Sequence, residues 1–157
     1  MEKFIEYLYE AERKLQTVDH IVYVTLPLVN DKKLLLKVLS ELHQITLKYI
    51  NAVLQFDYLY KKINLTADAH TNLKIFKEKC APRYKITEIE LKLITDLMEL
   101  SEKHKKSPFE FVRQEKIVIM SENMKPETLT IERIKGFLAN TKSVLRKIKE
   151  IIKLYQT

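Results

Sequence analysis

Few side chains in this 157-residue chain could carry out catalytic or metal-binding chemistry. The four histidines, His20, His43, His70 and His104, include no pair three or four residues apart, the spacing that places two metal ligands on one turn of a helix. Cys80 is the only cysteine, which excludes an internal disulfide and any multi-cysteine metal site held by this chain alone. The sequence therefore predicts no bound metal and no cofactor, and it predicts that Cys80 is a packing residue.

The glycine content excludes two large classes of nucleotide-dependent enzyme. Gly136 is the only glycine. A single glycine cannot form the phosphate-binding loop of a Walker-type hydrolase or the Gly-x-Gly-x-x-Gly turn of a Rossmann domain. The abundance of Leu, Lys, Glu and Ile also favours helices over strands. We therefore expect an all-α protein, and a binding module more than an enzyme.

Arg13 and His20 are the one pair of polar residues whose spacing matches a known catalytic motif. They are seven residues apart, which returns both side chains to nearly the same face of a helix. The pair resembles the Arg-x4-6-His motif of HEPN domains, compact all-helical modules of prokaryotic RNases, toxin–antitoxin pairs and CRISPR effectors. In those RNases, the arginine and histidine of two protomers meet at a dimer interface and cleave RNA without metal. The resemblance implies that Arg13 would hold a phosphate and that His20 would act as the acid or base.

The positive charge is concentrated near the C-terminus. The formal net charge of the chain is +7, and residues 131–157 carry seven Lys and Arg against two acids. Because apolar residues claim one side of the predicted final helix, the cations are expected on the other side, in a strip about 30 Å long. Such a strip is suited to the phosphate backbone of a nucleic acid, whose neutralisation releases counterions.

We therefore interpret the chain as a non-catalytic module that binds nucleic acid, with RNA favoured over DNA. The predicted phosphate contacts are Arg133, Lys142, Arg146, Lys149 and Lys153, with Lys105, Lys106 and Arg113 as extensions. Three alternatives stay open at this stage: a protein-interaction or homo-oligomerisation module, the HEPN-like RNase, and a lysine-rich face that serves solubility alone. No membrane partner is expected, because the apolar side of the final helix is needed for the core.

The spacing of apolar residues predicts a single domain, residues 1–157, built as a bundle of five or six helices around one long central helix. The expected core segments are residues 4–22, 35–63, 89–100 and 131–155. Pro27 predicts a break after the first helix, Thr66 a cap for a short helix within 64–85, and Thr87 with Glu90 a capping box. With one cysteine and no long apolar run, we expect a cytoplasmic protein.

The segment between residues 107 and 130 is the least regular. Ser107, Pro108 and Glu110 have the pattern of a helix N-terminus, with a cap, a proline at the first helical position and a reciprocal cap three residues on. Residues 116–122 are rich in β-branched side chains and could pair with residues 127–130 in a short β-hairpin. Thr130 is expected to cap the last helix.

Overall fold

The computed structural model of this chain describes residues 2–29 and 31–156. The fold is mostly helical, as predicted, and a small three-stranded antiparallel sheet lies between the last two helices. The helices are α1 (Lys3–His20), α2 (Leu26–Val29), α3 (Leu34–Leu59), α4 (Ala69–Ile75), α5 (Glu88–Lys106) and α6 (Ile131–Gln156), and the strands are β1 (Glu110–Arg113), β2 (Lys116–Met120) and β3 (Pro126–Leu129).

The long helix α3 lies at the centre of the bundle and packs against α1, α5 and α6. More than half of its 26 residues are buried, which agrees with an apolar face too wide for a single neighbour. The helix ends at Leu59, a few residues before the predicted end. Lys61 follows in the left-handed region, with a φ of 58°, and this conformation ends the helix.

The chain stays helical through Pro27, where the sequence predicted a break. Residues Ile21–Thr25 form a π-helical turn, and the Leu26 N–H donates to the Ile21 carbonyl five residues back. We attribute the tolerance of Pro27 to this turn, because its extra residue moves the carbonyl that would otherwise clash with the proline ring. The prediction of a break at Pro27 was therefore wrong.

The segment after α3 is anchored by a buried carboxylate. Asp57 of α3 is only 2% exposed; its Oδ1 accepts a hydrogen bond of 2.8 Å from the Tyr84 hydroxyl, and its Oδ2 contacts Arg83 Nη2. Cys80 is fully buried, and that burial, with Asp57 nearby, raises the pKa of its thiol. A protonated, buried thiol agrees with the predicted packing role of Cys80.

The cap of the short helix in this segment lies two residues later than predicted. The Asp68 carboxylate, and not Thr66, accepts the backbone N–H groups of His70 and Thr71 at the start of α4. A π-helical stretch, Phe76–Cys80, and a 3₁₀ turn, Ala81–Tyr84, then carry the chain through Pro82.

The capping box that begins α5 is confirmed, and it also joins α5 to α6. Thr87 Oγ1 accepts the Glu90 N–H, and Glu90 Oε1 accepts the Thr87 N–H at 2.9 Å. From α6, Lys147 Nζ lies 2.6 Å from Glu90 Oε1, and Ser143 donates to Oε2 at 2.8 Å. Burial alone would raise the pKa of Glu90, but Lys147, the Thr87 N–H and Ser143 together lower it to about 2.

We predict that this carboxylate makes the fold sensitive to acid. Because the pKa of Glu90 is lowered in the folded state, its stabilisation is present above its unfolded pKa of 4.5 and is lost as pH falls towards 2. Glu90→Gln should therefore destabilise the protein at pH 5, by about 2 kcal/mol more than it does at pH 2.5. Urea unfolding at both pH values measures this difference. Glu88→Gln, an exposed acid of the same helical turn, is the control, and a pH-independent effect of Glu90→Gln would contradict the assignment.

The predicted helix start at residues 107–110 was wrong, because residues 107–109 are not helical and the edge strand β1 begins at Glu110. Ser107 Oγ donates to the Met120 carbonyl at 2.6 Å, and Glu110 Oε2 lies 2.5 Å from His104 Nδ1 instead of capping a helix. The local capping residues favour a helix, but pairing of the chain with β2 outweighs them. No pattern among neighbouring residues indicates this pairing. The β2–β3 hairpin expected around residues 116–130 is confirmed, and β1 extends it to three strands.

One face of the sheet closes the bundle. Ile117, Ile119 and Leu129 are buried on it, and β2 packs against α5. The chain then enters α6, where Thr130 Oγ1 accepts the Arg133 N–H at 3.1 Å, as expected for the predicted cap.

Candidate nucleic-acid interface

Five cations of α6 lie on one side of the helix. Successive residues are rotated by about 100°, so these five side chains fall within an arc of about 60° and a length of about 27 Å. We call them the α6 row: Lys135, Lys142, Arg146, Lys149 and Lys153. Four of them were predicted from the sequence, and Lys135 was not.

The α6 row lies along the edge of the helix that faces α1. Lys142 forms an ion pair with Asp19 of α1, and Lys149 forms one with Glu12. Lys135 and Lys142 each lie 5.4 Å from the centre of the Tyr23 ring, at cation–π distance. Carboxylates that lie far away in the sequence therefore neutralise part of the positive charge of the predicted strip.

Arg146 and Lys153 are the least compensated members of the α6 row. Both side chains are exposed, and neither forms an ion pair with any carboxylate of residues 2–29 and 31–156. Together with Lys135, they provide three cations whose charge no described acid neutralises by direct contact. Glu150, also exposed, lies between Arg146 and Lys153 in the sequence and is the nearest acid on α6 itself.

A groove of about 570 Å³ runs between α1 and α6 beside the row. Its floor is apolar and its rim is charged. The floor residues are Leu8, Leu15, Leu145 and Ile152, and the rim residues are Glu12, Lys142, Arg146, Lys149, Glu150 and Lys153.

Arg133 does not belong to the row. It lies on the opposite side of α6, by helical rotation, and its Nη1 donates to the Thr128 carbonyl at 2.9 Å and lies 3.5 Å from Glu127 Oε2. Glu127 also accepts from Lys103 of α5 at 2.9 Å. Arg133 therefore connects α6 to the sheet, and the structure gives it a packing role at that junction.

The three predicted extensions lie near the sheet. Lys105 is 3.6 Å from Glu102, one turn earlier in α5, and Lys106 lies beside the turn that contains Glu122. Arg113 ends β1, the edge strand on the side away from β3, whereas Arg133 contacts β3. These three cations lie near the sheet and do not extend the α6 row.

Arg13 and His20 share the solvent-facing side of α1. Both side chains are exposed, and by helical rotation they lie opposite the buried stripe of Phe4, Ala11 and Val18. Arg13 and His20 therefore lie on one face of α1, as their spacing predicted. In the described part of the chain, no carboxylate forms an ion pair with Arg13 or His20.

Two other histidines have close partners inside the bundle. His43 Nδ1 lies 2.9 Å from Ser101 Oγ, and both residues are buried, which keeps this pair away from any substrate. Burial, with the Lys105 charge as a smaller cause, lowers the pKa of His43. His104 binds Glu110 and joins α5 to β1. Both contacts connect elements of the fold.

A second basic surface was missed from the sequence. Lys61, Lys62 and Lys79 surround a depression of about 540 Å³ whose lining contains no acid. Lys79 comes from the π-helical stretch, and the other two cations follow the end of α3. The sequence shows that residues 74–85 are rich in lysine, but it does not show the turn that brings Lys79 beside Lys61 and Lys62.

Comparison with protein-family models, with curated proteins and with solved structures finds no match for this chain. Within residues 2–29 and 31–156, no three His, Cys, Asp or Glu side chains are grouped as a metal site would require. None of the helices in the same residues combines the length and the apolar character needed to cross a bilayer. Functional proposals for this chain therefore rest on its own surface.

Proposed function

We propose that this protein is a non-catalytic module that binds nucleic acid, RNA in the first place, through the α6 row. The observation that carries the proposal is the alignment of five cations along about 27 Å of one helix edge, three of them without a carboxylate partner in the described residues. A line of positive charge on a rigid helix can follow the line of negative charge of a phosphate backbone.

The two paired lysines of the row are included in the proposed interface. In both pairs, the cation and its carboxylate are more than 40% exposed. Exposed ion pairs contribute only about 0 to 1 kcal/mol, so a phosphate can replace Asp19 or Glu12 at small cost. The acids weaken the local positive potential, and we therefore expect moderate affinity that depends strongly on salt.

Binding of fluorescent single-stranded RNA and duplex DNA at low and at high salt tests the proposal. We expect complexes at low salt that dissociate as salt rises, because sequence-independent phosphate contacts are lost to counterions. A gel of the same samples reports cleavage; we expect intact RNA. Degradation that His20→Ala abolishes would replace the binding proposal with the HEPN-like RNase. No binding at low salt would contradict the proposal.

A protein-interaction or homo-oligomerisation module is the second candidate, and the apolar floor of the α1–α6 groove favours it. Grooves with apolar floors accept amphipathic helices, which place side chains of every third or fourth residue into them. Light scattering over a range of concentrations separates this candidate from the first. A stable dimer that does not bind nucleic acid would favour it.

A further inference from the structure

The outer face of the sheet carries two exposed aromatic rings. In antiparallel pairing with β2, Phe111 lies opposite Val118 and Arg113 lies opposite Lys116. Because alternate residues of a strand share a face, Phe109, Phe111 and Arg113 lie on one face, away from the buried Ile117 and Ile119. We call this surface the outer sheet face and define it by Phe109, Phe111, Arg113 and Lys116.

The two phenylalanine rings are stacked with their planes nearly parallel. Their centroids are 6.1 Å apart and their planes differ by only 19°. Phe109 is 47% exposed and Phe111 is 41% exposed, although both could gain stability from burial. Flat exposed rings on a sheet are the surface on which unpaired bases stack, because every base has a π-face.

Two cations, Arg113 and Lys116, lie on the same face as the two rings. Arg113 and Lys116 are directly opposed across the hairpin, an arrangement in which like charges repel. Neither forms an ion pair with any described carboxylate, and the nearest acid in the turn, Glu115, instead contacts Lys32 at 2.6 Å. An anion that contacts both cations would relieve their repulsion. The chemistry of this face, two aromatic rings beside two cations with no ion pair among the described residues, complements a strand with bases and phosphates.

We infer that the outer sheet face binds single-stranded nucleic acid, with bases stacked on Phe109 and Phe111 and phosphates held by Arg113 and Lys116. The inference rests on the proposed function and adds the substrate class to it. A duplex keeps its bases stacked on one another and offers none to the rings, so it is held by the α6 row alone. An unpaired strand offers its phosphates to the row and both its bases and its phosphates to the outer sheet face.

The double variant Phe109→Leu, Phe111→Leu tests the inference, because leucine keeps apolar bulk on the surface and removes the aromatic rings. The probes are a short fluorescent single-stranded RNA and an RNA duplex of the same length. We expect the affinity for the single strand to fall at least about tenfold, and the affinity for the duplex to change less than about twofold. Tyr9→Leu, an exposed aromatic residue of α1, is the matched control. Circular dichroism verifies the fold.

The outcomes separate this inference from the proposed function. Single-strand binding by the leucine variant at the parent's affinity would overturn the inference and leave the α6 row intact as an interface. A change of oligomeric state in the leucine variant, without a change in RNA affinity, would mark the face as a protein contact and overturn the inference too. A parent protein that binds neither probe would overturn both.

Discussion

Replacing Lys135, Arg146 and Lys153 with glutamine should weaken nucleic-acid binding by about 100- to 1,000-fold at 0.1 M salt. Each phosphate contact changes the logarithm of the affinity by about 0.7 to 0.9 per tenfold change in salt concentration. The substitutions remove three such contacts. These cations form no ion pair with the described acids, so replacing them breaks no ion pair between helices. The free energy of unfolding should change by less than about 1 kcal/mol. Titration of fluorescent single-stranded RNA measures the effect.

A control with the same change in net charge distinguishes the row from a general effect of charge. Lys3, Lys37 and Lys74 are exposed cations on α1, α3 and α4 without ion pairs among the described residues. Their replacement with glutamine should reduce affinity several-fold at most, through the long-range potential. Equal losses in the two triple variants would show that net charge, and not the α6 row, determines binding.

Asp57→Ala should lower the free energy of unfolding by about 1 to 3 kcal/mol, the cost typical of leaving a buried donor without its acceptor. The substitution leaves the buried Tyr84 hydroxyl without its acceptor and Arg83 without its carboxylate. It also releases the Ala81–Tyr84 turn from α3, since Arg83 and Tyr84 both belong to that turn. Urea unfolding followed by circular dichroism measures the change.

Two further variants interpret that result. Asp57→Asn retains an oxygen for the Tyr84 hydroxyl and should cost less than the alanine variant, so it serves where Asp57→Ala does not fold. Asp96→Ala removes a partly exposed carboxylate 3.3 Å from Lys92, and it should cost no more than about 0.5 kcal/mol. If Asp57→Ala were as mild as Asp96→Ala, Asp57 would not be the anchor of the turn.

Features encoded by neighbouring residues could be predicted from the sequence. The Thr87–Glu90 capping box and the Thr130 cap are local hydrogen bonds, so their residue types and spacing suffice. The long central helix follows from apolar residues at helical spacing. The common side of Lys142, Arg146, Lys149 and Lys153 follows from the same period.

Features that depend on distant residues could not be predicted. The Ser107–Glu110 segment has local signals for a helix, but the chain pairs with β2 from Glu110 onward and continues as a strand. The π-turn before Pro27 involves no residue type that identifies it. The partner of Lys149 lies 137 residues away and the partner of Lys142 lies 123 residues away, so the sequence showed the cations without the acids that compensate them.

The outer sheet face shows how one such error concealed a candidate surface. A helix beginning at Ser107 would place Phe111 on the side opposite Phe109 and Arg113, whereas a strand places all three on one face. Arg113 was predicted as an extension of the charged strip. In the structure it lies opposite Lys116, beside two aromatic rings, and its chemical surroundings differ from those of the α6 row.

The salt dependence of RNA binding, compared between the parent and the Lys135/Arg146/Lys153 glutamine variant, measures how many phosphates the α6 row contacts. For single strands, the logarithm of the affinity falls with log salt by about 0.7 for each phosphate contacted. We predict that the variant's slope is smaller than the parent's by about 2, the value for three lost contacts. Equal slopes in the two proteins would contradict the claim that the α6 row contacts phosphates.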